Sequence, residues 1–250
     1  MKDYRSSHLD AKCPAQFDVH YTYGHGHLYW NHFERPYLEK LFARLGRESP
    51  GRYLDFACGT GRITELASPH FAETVGIDVS EAMLAEARRR IPAARLIQVD
   101  VMTEPPDVGT FQVISLFRFI LSAEDHLREG VLNWLRTVIA PDGVLVVNNH
   151  LNHWSITGLR HRLRNVVRFR RGGPPTERRI EALLRGCGFE IVEAYGFGII
   201  PPWRDTQRFP STPLLRLERL LGSSKRLQAH AKDRIYLCRP IDAERAAAPP

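Results

Sequence analysis

Short apolar runs alternate with longer amphipathic stretches through the middle of the chain, from Tyr53 to Val147. The runs at 53–56, 74–77, 96–99, 112–116 and 144–148 are rich in β-branched and aromatic residues and bounded by turn-forming residues, so each predicts a strand. Between them lie helical patterns with their own start signals. Ser80 suits the N-cap of a helix through Arg90 that turns Met83, Leu84 and Ala87 inward. Ser122 and Asp125 have capping-box spacing. Ala140-Pro141-Asp142-Gly143-Val144 predicts a turn feeding the fifth strand. Near-continuous apolar strands alternating with helices predict a parallel sheet covered on both faces. Further on, the pattern predicts a helix at 176–185 that stops at Gly186, then strands at 189–194 and 234–238.

Residues 1–240 are expected to form one α/β domain, which 250 residues suit. Residues 1–50 are expected to cap it, with a helix near 36–45 carrying Leu38, Leu41, Phe42 and Leu45 on one side. Residues 149–175 and 196–230 are expected as insertions on the substrate side, and 241–250 as a disordered tail. In the second insertion, Thr212 suits an N-cap and Pro213 the first helical position. In the first, Leu159, Leu163, Val166 and Val167 recur at helical spacing among Arg160, Arg162, Arg164, Arg168, Arg170 and Arg171, predicting a basic amphipathic helix over 159–171. The commoner arrangement for such a helix packs its apolar side on the domain. Anion recognition in a substrate and peripheral contact with a membrane surface are the functional alternatives.

Composition narrows the function classes. A chain that is 43% hydrophobic and 25% charged fits a globular protein. No run approaches the roughly 20 apolar residues of a membrane span; the longest, at 113–121, is interrupted by Arg118. The first ten residues lack the apolar centre of a secretory leader, so the cytoplasm is the expected location. A formal net charge of +7 suits phosphates, nucleic acid or anionic lipid as partners. Cys13, Cys58, Cys187 and Cys238 match neither a C-x-x-C pair nor a zinc pattern and are expected as reduced thiols.

The stretch Tyr53-Leu54-Asp55-Phe56-Ala57-Cys58-Gly59-Thr60-Gly61 runs a strand into a small-residue turn that backbone and ligand can share closely. Asp55 at the strand end can hold the loop or receive an amino group. Asp78, seventeen residues after Gly61, ends the second strand, where an acid can accept both ribose hydroxyls. Asp100 ends the third, placed for an adenine amino group with Val101 beside the ring. A nicotinamide-dinucleotide fold would want a third glycine at 64, which is Thr64.

In this order, over roughly residues 53–148, these features resemble class I S-adenosylmethionine (SAM)-dependent methyltransferases. The resemblance implies a Rossmann-like, seven-stranded, mostly parallel α/β sheet with helices on both faces and 234–238 as an antiparallel edge strand. It implies SAM as cofactor, contacted by Asp55, Ala57, Gly59, Thr60, Gly61, Asp78, Val79, Met83, Asp100, Val101 and Phe117. Two departures stand out: Ala57 replaces the signature's first glycine, and Gln112 replaces the acid usual at the start of the fourth strand.

Methyl transfer from a sulfonium is an in-line displacement, so alignment matters more than an obligatory base. The fifth strand passes abruptly into Asn148-Asn149-His150-Leu151-Asn152-His153. His150, and after it His153, are the candidate bases, against the alternative of a loop that hydrogen-bonds itself. Tyr23, His25, His27 and Trp30 in the N-terminal segment, with Arg118, Asn149 and Asn152, are expected substrate contacts. No metal is expected, because Ser115–Arg118 and Asn148-Asn149 offer no carboxylate where a magnesium site would stand.

Amino-methylating nucleic-acid enzymes carry an Asn/Asp-Pro-Pro-aromatic run where this chain has Leu116-Phe117-Arg118; Pro201-Pro202-Trp203 follows the wrong strand. The acceptor is therefore expected to be an O or N atom of a small molecule, such as a sugar, a phosphorylated compound or another biosynthetic intermediate, with an anionic one included. No specific nucleic acid is expected. The rivals are an RNA methyltransferase, resting on charge, and a silent SAM-binding module acting through a partner. The oligomeric state is open.

Overall fold

The structure, a computed structural model, describes residues 27, 30–167, 175–200 and 212–241. Among the described residues, seven strands form one sheet: β1 (Arg52–Phe56), β2 (Glu73–Asp78), β3 (Arg95–Gln98), β4 (Phe111–Leu116), β5 (Ile139–Asn149), β6 (Phe189–Phe197) and β7 (Asp233–Pro240). Their order is β3-β2-β1-β4-β5-β7-β6. The first five run parallel, while β7 is antiparallel to both β5 and β6. The expected antiparallel strand is present but sits one place in from the edge, which β6 forms. Burial on both faces accompanies that position: Ile235 and Leu237 lie in one core, Tyr236 and Cys238 in the other, as an inner strand requires.

The helices are α1 (Arg35–Glu48), entered through a π-turn at Trp30–Glu34, then α2 (Arg62–Ala67), α3 (Glu81–Arg90), α4 (Asp125–Val138), α5 (Ile156–Val167), α6 (Glu177–Gly186), α7 (Thr212–Gly222) and α8 (Lys225–Gln228). Alternate strand residues feed two cores. Leu54, Phe56, Ile114, Leu145 and Val147 meet Leu127, Val131 and Leu135 of α4 and Ile180 and Leu184 of α6. Tyr53, Val113, Val144, Val146 and Ile235 meet Leu38, Leu41, Phe42 and Leu45 of α1. Each such side chain contributes about 1.5–3 kcal/mol when fully buried, so α1 is held on the sheet by its four inward residues.

Ser80 caps α3 by accepting the Met83 amide, and Thr176 caps α6 by accepting the Arg179 amide. The other expected cap is displaced. α4 starts at Asp125 behind Glu124, which makes no side-chain cap bond. After β4 the chain first makes a turn, with the Ser122 and Ala123 amides on the Phe119 carbonyl. Burial of Phe119, Ile120 and Ala123 draws that turn inward and postpones the helix. β5 also begins earlier than expected, at Ile139, and absorbs the Pro141-Asp142-Gly143 stretch as an irregularity between the Phe111 and Val113 pairings.

The arginine-rich helix departs furthest from expectation. Leu159 and Leu163 are exposed rather than packed on the domain, and α5 rests on the body through Ser155 and Gly158. Cys58, Cys187 and Cys238 are buried free thiols. No helix among the described residues is long and apolar enough to cross a membrane. Tyr23, His25, Cys13, the predicted helix beyond 167, Pro201-Pro202-Trp203, the Thr212 side chain and the tail from 242 lie outside the described residues.

Candidate cofactor and acceptor site

β1 and β2 end side by side, with Asp55 opposite Gly76 and Phe56 opposite Ile77. The turn after β1 then enters the left-handed region three times, at Ala57 (φ 55°), Gly59 (φ 55°) and Gly61 (φ 78°). A Cβ placed on Gly59 would meet no atom within 4 Å, so this residue supplies backbone freedom and leaves the space above the turn open. Ala57 holds the same backbone region with a methyl group, a strained choice for an L-residue.

Two networks hold the turn. The Gly59 amide donates to Asp78 Oδ2 at 2.8 Å, and the Ser80 amide to Asp78 Oδ1 at 2.9 Å. The Cys58 amide donates to the Ile77 carbonyl at 3.0 Å. Beneath, the buried Asp55 carboxyl accepts the Thr64 hydroxyl at 2.5 Å and the Ser115 hydroxyl at 2.6 Å, and Tyr53 adds its own hydroxyl to Ser115 at 2.6 Å. Burial pushes Asp55 up to about 6, against the two hydroxyls that favour its ionised form.

A cleft opens beside the turn, enclosing about 440 Å³ of empty space with the open solvent at its mouth counted in. It runs from Asp78 and Val79 past Asp100 and Val101 to Phe119 and Leu127. The wall is acidic at its two strand ends and apolar between. Acceptors at the two ends and an apolar bed between them are the pattern that a nucleoside's hydroxyl and amino donors and its ring require. Ala57 lines the cleft, and Met83 is buried, its amide on Ser80. Phe117 faces the other core, with Trp30 and Phe33, and it is Phe119 that stands in the cleft.

A second group of charges gathers where β4 and β5 end and β7 begins. Arg118 follows β4 with φ 60°, its amide on Asn148 Oδ1 at 3.2 Å and its guanidinium on the buried Glu34 at 3.0 Å. Lys232 pairs with the buried Asp233 at 2.6 Å and reaches the His150 carbonyl at 3.3 Å. Burial, with Arg118 and Lys232 nearby, pulls His150 down to about 3. Glu34, Lys232 and Asp233 escaped the sequence reading because they come from the N-terminal cap and the last strand, distant in the chain.

The remaining candidates are placed differently. Trp30 packs its ring 3.8 Å from the Arg62 guanidinium, so the N-terminal cap reaches the first residue of α2, next to the turn. His27 lies 3.0 Å from the Asn31 amide. His153 meets Arg162 of α5 at 2.8 Å. Asn152 is buried, donating to the carbonyls of Ala229 and Ala231 at 2.7 and 2.9 Å, which organises the loop. Asn149 is buried at the end of β5, its Oδ1 accepting the Leu151 amide at 3.4 Å. No group of three His, Cys, Asp or Glu able to hold a metal occurs among the described residues.

A methyltransferase-domain family model matches residues 30–194. The trans-aconitate 2-methyltransferase of Variovorax paradoxus is 36% identical over 131 residues, 52% of this chain and 49% of that protein. That of Methylobacterium nodulans is 35% identical over 147 residues, 57% of this chain and 52% of that protein. The chain thus spans about half the length of the curated relatives it matches. A DhpI–SAH complex superposes with a TM-score of 0.62 at 17% identity, covering 95% of this chain and 96% of that one. Magnesium protoporphyrin IX methyltransferase (ChlM) from Synechocystis PCC 6803, with bound SAH, gives 0.61 at 16% identity, covering 94% and 99%. These two likenesses establish the fold.

Proposed function

The chain belongs to the methyltransferase-domain family, and we propose that it moves the methyl group of SAM to a carboxylate oxygen of a small organic acid. SAM, when bound, supplies an electrophilic methyl group on a sulfonium. Asp78 accepts the ribose hydroxyls; Asp100, Val101 and Phe119 receive the adenine; the Asp55 network keeps the turn in shape beneath. Trp30, stacked on Arg62, shields the turn from water.

The observation that carries the acceptor reading is Arg118. A non-glycine residue in the left-handed region costs energy and tends to mark a functional position. Here the strain aims a guanidinium across the end of β4, steadied by Asn148 and Glu34. Its planar fork matches a carboxylate, and Asn149 stands at the neighbouring strand end. His150, held neutral down to about pH 3, is a poor proton acceptor and a good neutral hydrogen-bond partner. A carboxylate acceptor is already ionised near neutral pH, so no base is required of it. The names of the relatives, trans-aconitate 2-methyltransferases, support the same substrate class.

The test is transfer of labelled methyl from SAM to trans-aconitate and a panel of small mono-, di- and tricarboxylic acids. Label released as methanol by mild base marks a methyl ester. Base-stable label would move the acceptor to nitrogen. Label appearing in total RNA, with none in the acids, would replace this reading with the RNA one.

A further inference from the structure

The acceptor end of the molecule carries an apolar surface ringed by one sign of charge. β5 and β6 run opposite to β7, so the end of β5, the end of β6 and the start of β7 lie at one end of the sheet, where Asp78 and Arg118 also stand. α5 follows β5, while α7 and α8 fall between β6 and β7. Asn152 ties the entrance of α5 to the segment leaving α8 through its bonds to Ala229 and Ala231. Both insertions therefore emerge together.

On α5 and the turn before it, Trp154 is 58% exposed, Leu159 47% and Leu163 59%. The helix is seated through Gly158, where even a Cβ would meet the Asn152 carbonyl at 2.2 Å, and this turns the leucines away from the body. On α7, Leu217 is 43% exposed and Leu220 69%. Residues 151–167 contain three arginines and no acid. Residues 212–231 contain four Lys or Arg and one acid, Glu218. That acid is buried, its carboxylate accepting the amides of Gly198, Ile199 and Ile200 at 2.8, 2.8 and 2.7 Å. The charge left at this surface is positive.

We infer that this end of the protein docks on an anionic lipid surface, with Trp154, Leu159, Leu163 and Leu220 at the acyl boundary and the arginines among the phosphates. A basic amphipathic helix lying in the interface combines these two attractions. A second copy would bring like charges together, and single-stranded RNA rewards aromatic platforms rather than exposed leucines. The inference is independent of which acceptor is methylated.

The full chain is mixed with vesicles of phosphatidylglycerol and phosphatidylcholine, or of phosphatidylcholine alone, and partition is measured by co-sedimentation and tryptophan emission. Binding is expected to the first and not the second, to weaken with salt, and to shift the emission to the blue. Leu163→Ser and Leu220→Ser should reduce partition. Arg160→Ser or Arg164→Ser should each reduce it about fivefold. Arg89→Ser, on α3, should leave it unchanged. Trp154→Phe should keep binding and lose most of the emission shift. All these sites are on the surface, and circular dichroism checks that each variant is folded. Absence of partition, or equal partition into both vesicles, overturns the inference. So does salt-dependent RNA binding without partition, or a dimer that Leu163→Ser dissolves.

Discussion

The carboxylate of Asp78 accepts the backbone amide of Gly59 at 2.8 Å, so the residue that ends β2 also shapes the turn after β1. The same carboxylate takes the Ser80 amide at the head of α3. One side chain thus joins the open turn, the second strand and the helix that follows it.

Removing that carboxylate should act on both the turn and the cofactor. Asp78→Ala leaves amides without their charged partner, and hydrogen bonds to charged groups contribute about 1.5–3 kcal/mol each. Calorimetry is expected to show SAM affinity lower by about 10- to 100-fold. Unchanged affinity would remove Asp78 from the cofactor site.

Ala57 holds a backbone conformation that disfavours a Cβ. Ala57→Gly should relieve strain of roughly 1–2 kcal/mol, partly offset by the greater freedom of glycine in the unfolded chain. A rise in the denaturation midpoint corresponding to roughly 0.5–1 kcal/mol is expected. A fall would mean that the methyl group packs usefully against the turn.

Asp55 provides a pH signature of stability. Its pKa rises from 3.8 to about 6 on folding, so the folded state holds the proton more tightly than the unfolded one. Stability from this group is therefore greatest below pH 3.8 and declines as pH rises to about 6. At 1.36 kcal/mol per pKa unit the difference is at most about 3 kcal/mol. Asp55→Asn should lack this slope. Parallel stability–pH curves for the two proteins would refute the buried-acid assignment.

His150 makes the opposite statement. Its pKa is pulled down to about 3, so the ring is neutral through the range where a free histidine titrates. The stability linked to that neutral form is present above the unfolded pKa of about 6.5 and is lost as pH falls towards 3. Turnover between pH 5 and 8 should then show no limb that His150→Gln removes. His150→Ala should lower turnover more than SAM affinity, and His150→Gln should restore part of it. A kinetic pKa near 6.5 that disappears in both variants would return His150 to the role of base.

The order of strands and helices from β1 to β5 was legible because each local signal agreed with its neighbours. Apolar runs, the Ser80 cap and the small-residue turn all follow from short-range chemistry. The placement of Gly59, Gly61, Asp78 and Asp100 was legible for the same reason, since they lie at strand ends that the pattern alone locates. The acceptor side was less so. Arg118 was identified, but its partners Glu34 and Asn148 lie 84 and 30 residues from it in the chain, and no local pattern couples such positions.

By itself, then, the sequence determined the Rossmann-like alternation, the open small-residue turn after β1 and the acids at the neighbouring strand ends, because those depend on backbone conformation and strand period. Only the tertiary structure decided that β7 lies inside β6, that Phe119 rather than Phe117 enters the cleft, that His150 is neutral and that α5 shows its leucines to the exterior. Those outcomes depend on burial and on charges brought together from distant segments, which exist only once the chain has folded.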